Sequence, residues 1–162
     1  VPADIKPAGY VSSHAAFTVY RFSGVEFSII VSTLHRIWAE TIAGRLGNGT
    51  RYGNTIVYNT FPIPALTEKN KADLTRCAED ILLAREAHFP ATIADLYEVK
   101  DGESKMPADL REAHERNDEV LERIYIGRRF KNDTERLEKL FDLYTKMTAS
   151  AGAGKKRKAV TA

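Results

Sequence analysis

The stretch from residue 45 to residue 54 combines side chains that can recognise nucleic acid with glycines that free the backbone. The polar side chains belong to Arg45, Asn48, Arg51, Tyr52 and Asn54, and the glycines among them include Gly47 and Gly49. Arginine binds guanine bidentately in the major groove, asparagine binds adenine, and either can hold a phosphate. The stretch is therefore a candidate DNA-contacting loop, and an ordinary surface turn is the plain structural alternative.

Other chemistries find little support in the sequence. Glycines near the end of the chain resemble a phosphate-binding loop, but Ala149 and Lys156 stand where that motif requires Gly and Ser or Thr. No histidine has a partner at the spacing that places two metal ligands on one helix face; the four are His14, His35, His88 and His114. The single cysteine, Cys77, excludes internal disulfides and thiolate zinc clusters. We therefore predict neither catalytic residues nor a metal site.

Length and composition are those of a globular protein. The 162 residues are 43% hydrophobic and 28% charged, which suffices for one core and a small second one. No window approaches the roughly eighteen consecutive apolar residues of a membrane span, and Val1–Pro7 lacks the order of a signal peptide. These features predict a soluble, cytoplasmic protein with no membrane partner. The start at Val1 instead of Met indicates a fragment of a longer chain.

Net charge changes sign along the chain. Residues 1–66 carry five Lys/Arg against three Asp/Glu, residues 67–148 carry fifteen against nineteen, and residues 149–162 carry four against none. A polyanion is therefore expected to meet the first or the last piece. The basic run Lys155–Lys158 either adds DNA affinity independent of base sequence or is a solvated tail.

The first piece is predicted to mix strands and a helix. Ala16–Phe22 and Val25–Val31 are rich in β-branched and aromatic residues and predict a hairpin around a Ser-Gly pair. A helix capped by Ser32 follows and ends before the loop Gly47–Asn54. Thr55–Tyr58 predicts a short strand, which leads into a segment that two prolines hold extended.

The second piece is predicted to be helical. Thr67 caps a long helix and Thr92 a short turn, and Val99–Lys105 is expected to be a loop. Pro107 begins the next helix, which Gly127 stops. Asn132 or Asp133 caps the last helix, whose buried face is predicted to contain Leu137, Leu140, Phe141, Tyr144 and Met147.

These elements predict an α+β fold class that is mainly α overall. A small mixed α/β part at the amino end precedes an antiparallel helical domain. The expected boundaries are residues 1–66, residues 67–148 and a disordered basic tail at 149–162.

Several segments, taken in order, resemble one protein family. They are Ser12–Arg21, Gly44–Leu46, Arg51–Tyr52, Val57–Pro64, Ile93–Tyr97, Met106–His114 and Arg136–Tyr144. The first four resemble the end of the target-recognition domain of MmeI-like DNA methyltransferases. The last three resemble the C-terminal helical domain of that family, so the resemblance covers nearly everything except the tail.

The resemblance implies a restriction–modification protein that transfers a methyl group from S-adenosylmethionine to adenine N6 in a short sequence of double-stranded DNA. This chain holds no Asn-Pro-Pro-Tyr motif, no glycine-rich strand-to-helix turn and no nuclease motif. The fragment is therefore expected to be non-catalytic and without a cofactor of its own. S-adenosylmethionine and the catalytic groups are expected in an upstream methyltransferase domain of the same parent chain.

The family also implies where bases are read. By position, the base-reading surface includes Gly47, Asn48, Gly49 and Arg51, and Arg51 is the strongest candidate. Glycines stand at two of these positions where other members carry charged side chains, so direct readout is expected to depend mainly on Asn48 and Arg51. The helical domain is expected to brace the recognition part.

Two other functions stay open at this point. The chain also has the features of a DNA-specificity subunit of a multi-chain restriction system, because such subunits end a recognition domain with a proline-bracketed segment that feeds a long helix. A helical protein-interaction module that does not bind DNA is the second alternative.

Overall fold

The part of the chain that the structure describes is mainly helical, as predicted, with two small antiparallel sheets. The structure is a computed structural model and describes residues 3–6, 9, 19, 22–46 and 49–159, with only the backbone at 45, 46, 49–51 and 150–159. Two units can be distinguished by their internal contacts. The helical unit comprises Val1–Arg36 and Leu66–Arg129, and the hairpin unit comprises Ile37–Ala65 and Phe130–Ala162.

The first helix, α1 (Gly24–Ile30), stands where a strand is predicted at Val25–Val31, and that prediction is wrong. Ser23 and Glu26 form a capping box, in which the Glu26 carboxylate accepts a hydrogen bond from Ser23 N at 2.9 Å. All four residues from Phe27 to Ile30 are buried, so burial on every side outweighs the β-propensity of the isoleucines. The other predicted strand, Ala16–Phe22, lies outside the described residues apart from Val19 and Phe22.

The remaining helices begin close to the predicted caps. They are α2 (Thr33–Ile42), α3 (Glu68–Glu86), α4 (Ile93–Leu96), α5 (Ala108–Ile126) and α6 (Asp133–Ala159). Ser32 Oγ accepts from His35 N at 3.1 Å, and Thr67 and Thr92 likewise cap α3 and α4. Asn132 Oδ1 accepts from Glu135 N at 2.9 Å and so caps α6. Gly127 ends α5 with a φ of 78°, a left-handed conformation that favours glycine.

Three further segments differ from the prediction. The expected loop Val99–Lys105 contains β3 (Val99–Lys100) and β4 (Glu103–Ser104), joined by an Asp-Gly turn with positive φ at both residues. The expected loop Gly47–Asn54 contains a strand, and Thr55–Tyr58 is a helical turn instead of a strand; both are described with the candidate site. The backbone of α6 runs through the expected disordered tail as far as Ala159, because extending an established helix costs less than beginning one, even across Gly152 and Gly154.

The core of the helical unit forms where α3 packs against α1 and α5. Its buried members are Phe27, Ala78, Ile81, Leu96, Leu110 and Ala113. Gly24 allows α1 to approach α3 closely, because a Cβ at this position would lie 3.2 Å from the Cα atom of Thr75. The first turn of α1 therefore packs directly on the α3 backbone.

Two neighbouring side chains of α5 hold the α1–α2 junction. Asn117 Nδ2 donates to the Ser28 carbonyl at 3.0 Å, and the Ser28 hydroxyl bonds the Asn117 side-chain oxygen. The Asp118 carboxylate accepts from Thr33 N at 2.8 Å and from Thr33 Oγ1 at 2.6 Å, which satisfies the amino end of α2. Ser28 and Asn117 are fully buried, so each polar group depends on the other for its partner.

A polar triad of one buried and two half-buried side chains lies beside this core. Arg85 Nε and Nη2 donate to Tyr97 Oη at 2.8 and 2.6 Å, and Tyr97 Oη lies 2.5 Å from His114 Nε2. A guanidinium can only donate, so the phenol accepts both bonds and directs its own hydrogen to His114. His114 is therefore neutral, and burial together with the nearby Arg85 charge lowers its pKa to about 4.

We expect Gly24→Ala to lower the free energy of unfolding by about 1–3 kcal/mol, because the added methyl group would meet the α3 backbone, which cannot easily yield. Urea denaturation followed by circular dichroism measures the change. Gly53→Ala is the matched control, since nothing lies within 4 Å of a Cβ there and its φ of −131° suits alanine. Equal stability of the two variants would contradict the close packing of α1 on α3.

The free energy of unfolding should fall as the pH is lowered from about 6.5 to about 4. Burial lowers the pKa of both His35 and His114 to about 4, so the unfolded chain binds two protons in this range that the folded chain does not. Each such proton costs about 1.4 kcal/mol per pH unit. His114→Gln keeps a hydrogen-bond acceptor and should remove about half of this slope. An unchanged slope in that variant would show that His114 is not held neutral.

Candidate nucleic-acid interface

A β-hairpin occupies most of the stretch in which the polar candidates cluster. The helix α2 ends with a bond from Ala43 N to Ala39 O, and β1 (Gly44–Leu46) follows at once. It pairs antiparallel with β2 (Gly49–Arg51), so the loop predicted over this stretch is corrected to a strand from Gly49 to Arg51. Gly47 and Asn48, which join the two strands in the sequence, lie outside the described residues.

The register of this hairpin separates the two candidate arginines. Arg45 pairs with Thr50, whereas Arg51 pairs with Gly44. Cross-strand partners share a face of a sheet and successive residues alternate between faces, so the positions of Arg45 and Arg51 belong to opposite faces. The face of Arg51 otherwise holds Gly44, Leu46 and Gly49. Two of these three neighbours are glycines, which add no side chain to this face.

A wide helical turn follows the hairpin. The π-turn (Asn54–Tyr58) is closed by a bond from Asn59 N to Asn54 O at 2.9 Å, and it replaces the strand predicted at Thr55–Tyr58. Val57 is fully buried within it, whereas Asn54 and Ile56 are exposed. Asn54 Oδ1 accepts from Thr55 N at 2.8 Å. The Asn54 side-chain oxygen also accepts from Thr55 Oγ1 at 3.3 Å, so its bonds are local to the exposed start of the turn.

Tyr52 lies in the short connection between the hairpin and the π-turn. It is half-buried, and burial together with the neighbouring Tyr58 raises its pKa to about 12. Its phenol is uncharged at physiological pH, as an ordinary tyrosine also is, and it can both donate and accept a hydrogen bond.

An aromatic cluster anchors these elements within the hairpin unit. Trp38 of α2 is 1% exposed, and its ring centroid lies 5.2 Å from Phe141 and 5.6 Å from Tyr144, both on α6. Phe61 packs edge-on against the same indole at 6.4 Å, and Trp38 Nε1 donates to Thr60 Oγ1 at 3.2 Å. We call Trp38, Thr60, Phe61, Phe141 and Tyr144 the Trp38 cluster.

The structure thus brings together only part of the predicted set. The backbone of Arg45, Gly49 and Arg51 lies in one hairpin, and Tyr52 and Asn54 follow it directly. The bond between Trp38 and Thr60 could not be predicted, because a partner 22 residues away leaves no local signal in the sequence. Phe141 and Met147, both predicted to be buried, are 42% and 41% exposed.

Two negative findings apply to the described ranges. Within them, no three His, Cys, Asp or Glu side chains come together in a way that could hold a metal ion. None of the helices described is both long enough and apolar enough to cross a membrane.

Comparison with known proteins connects this geometry to a family. Residues 1–65 match the family model for the target recognition domain of MmeI, and residues 66–151 match the model for the MmeI C-terminal domain. The chain is 36% identical over 148 residues to DNA methyltransferase A of Bacillus subtilis (strain 168), an alignment that covers 91% of this chain and 16% of that protein.

A solved structure of the same family is also similar to this chain. The structure of the Type IIL restriction-modification enzyme MmeI in complex with DNA superposes with a TM-score of 0.73 at 31% identity, over 80% of this chain and 17% of that one. The chain therefore spans about one sixth of the length of these relatives. It belongs to the MmeI family, and it carries that family's target recognition and C-terminal domains.

Proposed function

We propose that this chain recognises a specific sequence in double-stranded DNA as part of a longer restriction–modification methyltransferase. The match of residues 1–65 to the MmeI target recognition domain carries this proposal, because those residues include the whole hairpin and the π-turn. The similarity to an MmeI structure determined in complex with DNA supports it. The DNA-specificity subunit and the helical interaction module gain no comparable support.

The register of the hairpin suggests that its two arginines bind different parts of the DNA. Arg51 shares its face with glycines, which would let the backbone approach the edges of the bases, and arginine is the side chain best suited to guanine. Arg45 belongs to the opposite face, so it is assigned to a phosphate. Asn48 and Asn54 are proposed as further contacts, with Gly47, Gly49 and Tyr52 shaping the surface around them.

The chemistry of the longer protein is proposed to occur outside this chain. A DNA methyltransferase of this family would use S-adenosylmethionine to methylate adenine N6, and the motifs for that reaction are absent from this sequence. An upstream methyltransferase domain is thus the intramolecular partner of the recognition part. Residues 67–148 would brace the recognition part, residues 1–66. With cellular DNA as its substrate, the protein is expected to act in the cytoplasm.

Arginine variants of the full-length protein test this assignment. Arg51→Ala should reduce discrimination between the recognised duplex and one with a single altered base pair by about 5- to 150-fold, the loss of one bidentate base contact. Arg45→Ala should weaken binding to both duplexes equally and lower the slope of log K against log salt by about 1. The recognised sequence is first mapped from the methylated sites, and fluorescence anisotropy then gives both quantities.

Arg76→Ala is the matched control, because this exposed arginine lies on α3 of the helical unit. It should leave discrimination and salt dependence unchanged. Full discrimination in Arg51→Ala would overturn its role as a base reader. Failure of the wild-type protein to prefer any duplex would overturn the proposed function as a whole.

A further inference from the structure

The positive charge of the chain is concentrated in the hairpin unit. That unit carries ten Lys/Arg against five Asp/Glu, whereas the helical unit carries fourteen against seventeen. The net charges are therefore +5 and −3. The last helix belongs to the same unit as the hairpin and not to that of α3 and α5. For this reason the two units differ in net charge more than the consecutive segments 1–66 and 67–148 do.

Within the hairpin unit, the charge of α6 is uneven along its length. Its first half is compensated by pairs one turn apart, Arg136 with Asp133 and Lys146 with Asp142, each at 2.7 Å. No Asp or Glu follows Asp142 in the sequence. The four cations Lys155–Lys158 thus have no carboxylate within the three- or four-residue spacing that pairs charges on a helix.

The Trp38 cluster fixes α6 beside the segments that flank the hairpin. Phe141 and Tyr144 contact the indole of α2, which ends two residues before β1, and the same indole contacts Phe61 just after the π-turn. Lys156 lies twelve residues beyond Tyr144, a helical rise of about 18 Å. The cationic end of α6 is therefore held at a limited distance from the recognition elements and is not attached through a flexible linker.

We propose that the C-terminal half of α6 binds backbone phosphates of the same duplex that the hairpin reads. This inference rests on the proposed function. DNA is the fitting partner because it presents about one phosphate per 3.4 Å along each strand, so a helix end with four successive cations can neutralise several of them. Contacts of this kind add affinity but no base specificity.

The test compares two variants of the full-length protein with the wild type on a recognised duplex and on an unrelated one. The first replaces Lys155, Lys156, Arg157 and Lys158 by glutamine. We expect the slope of log K against log salt to fall by about two to four units, at about 0.9 per phosphate contact. Affinity for both duplexes should drop together, and their ratio should stay within about twofold of the wild type.

A charge-matched control separates a local site from the overall charge. Lys69, Lys71, Lys100 and Lys105 are exposed residues of the helical unit, and their replacement by glutamine removes the same four charges. This control variant should have the same slope of log K against log salt as the wild type. The inference would be overturned if the α6 variant had the wild-type slope. It would also be overturned if the slope fell in the control as much as in the α6 variant.

The second variant, Ala149→Pro, keeps every charge but interrupts the helix between the Trp38 cluster and the cationic end. In this variant the slope of log K against log salt should be smaller than in the wild type. An unchanged slope would show that the cations act as a free tail, and would overturn the inference that the Trp38 cluster positions them. These outcomes are distinct from failure of the proposed function, because that failure would abolish the preference of the wild-type protein and make it insensitive to Arg51→Ala.

Discussion

Burial of the Trp38 indole is the constraint on which the hairpin unit depends. A buried indole N–H needs an acceptor, and Thr60 supplies it at 3.2 Å. The same ring packs against other aromatic rings, two from α6 and one from Phe61. One side chain of α2 thus contacts the segment just after the π-turn and α6, and the hairpin lies in the sequence between α2 and the π-turn.

The helical unit is organised by polar bonds as much as by its apolar core. Asn117 and Asp118, adjacent on α5, satisfy the end of α1 and the beginning of α2. An apolar replacement of Asn117 would leave the buried Ser28 groups without this partner, and one of Asp118 would do the same to the half-buried Thr33 amide and hydroxyl. The first residue of α2, Thr33, belongs to the helical unit and bonds Asp118, whereas Trp38, in the second half of α2, belongs to the hairpin unit.

Sequence patterns predicted the long helices well because their signals are local. Caps such as Thr67 and Thr92, and the stop at Gly127, act within one turn of the backbone. The patterns failed where distant contacts decide the outcome, as in α1, whose β-branched residues form a helix because they are buried on all sides. A local signal was available there too, since Ser23 and Glu26 are spaced as a capping box.

At the candidate site, too, only the local features could be predicted from the sequence. The residue types of the polar stretch identified it as a candidate site, whereas the register that places Arg45 and Arg51 on opposite faces is known only from the strand pairing. The exposed state of Phe141 was also out of reach, because its helical spacing is that of a core residue. Its partner Trp38 lies more than a hundred residues away in sequence.

The composition of the hairpin unit from two distant stretches of chain bears on how specificity can evolve. A gene rearrangement that exchanged residues 1–65 alone would bring a new hairpin and a new Trp38 but keep the old α6. In such a chimera, the contacts of the Trp38 cluster would have to form between segments from different parents. Lineages that acquire new DNA targets should therefore inherit the recognition segment together with the last helix, or change only those hairpin residues that leave the Trp38 cluster intact.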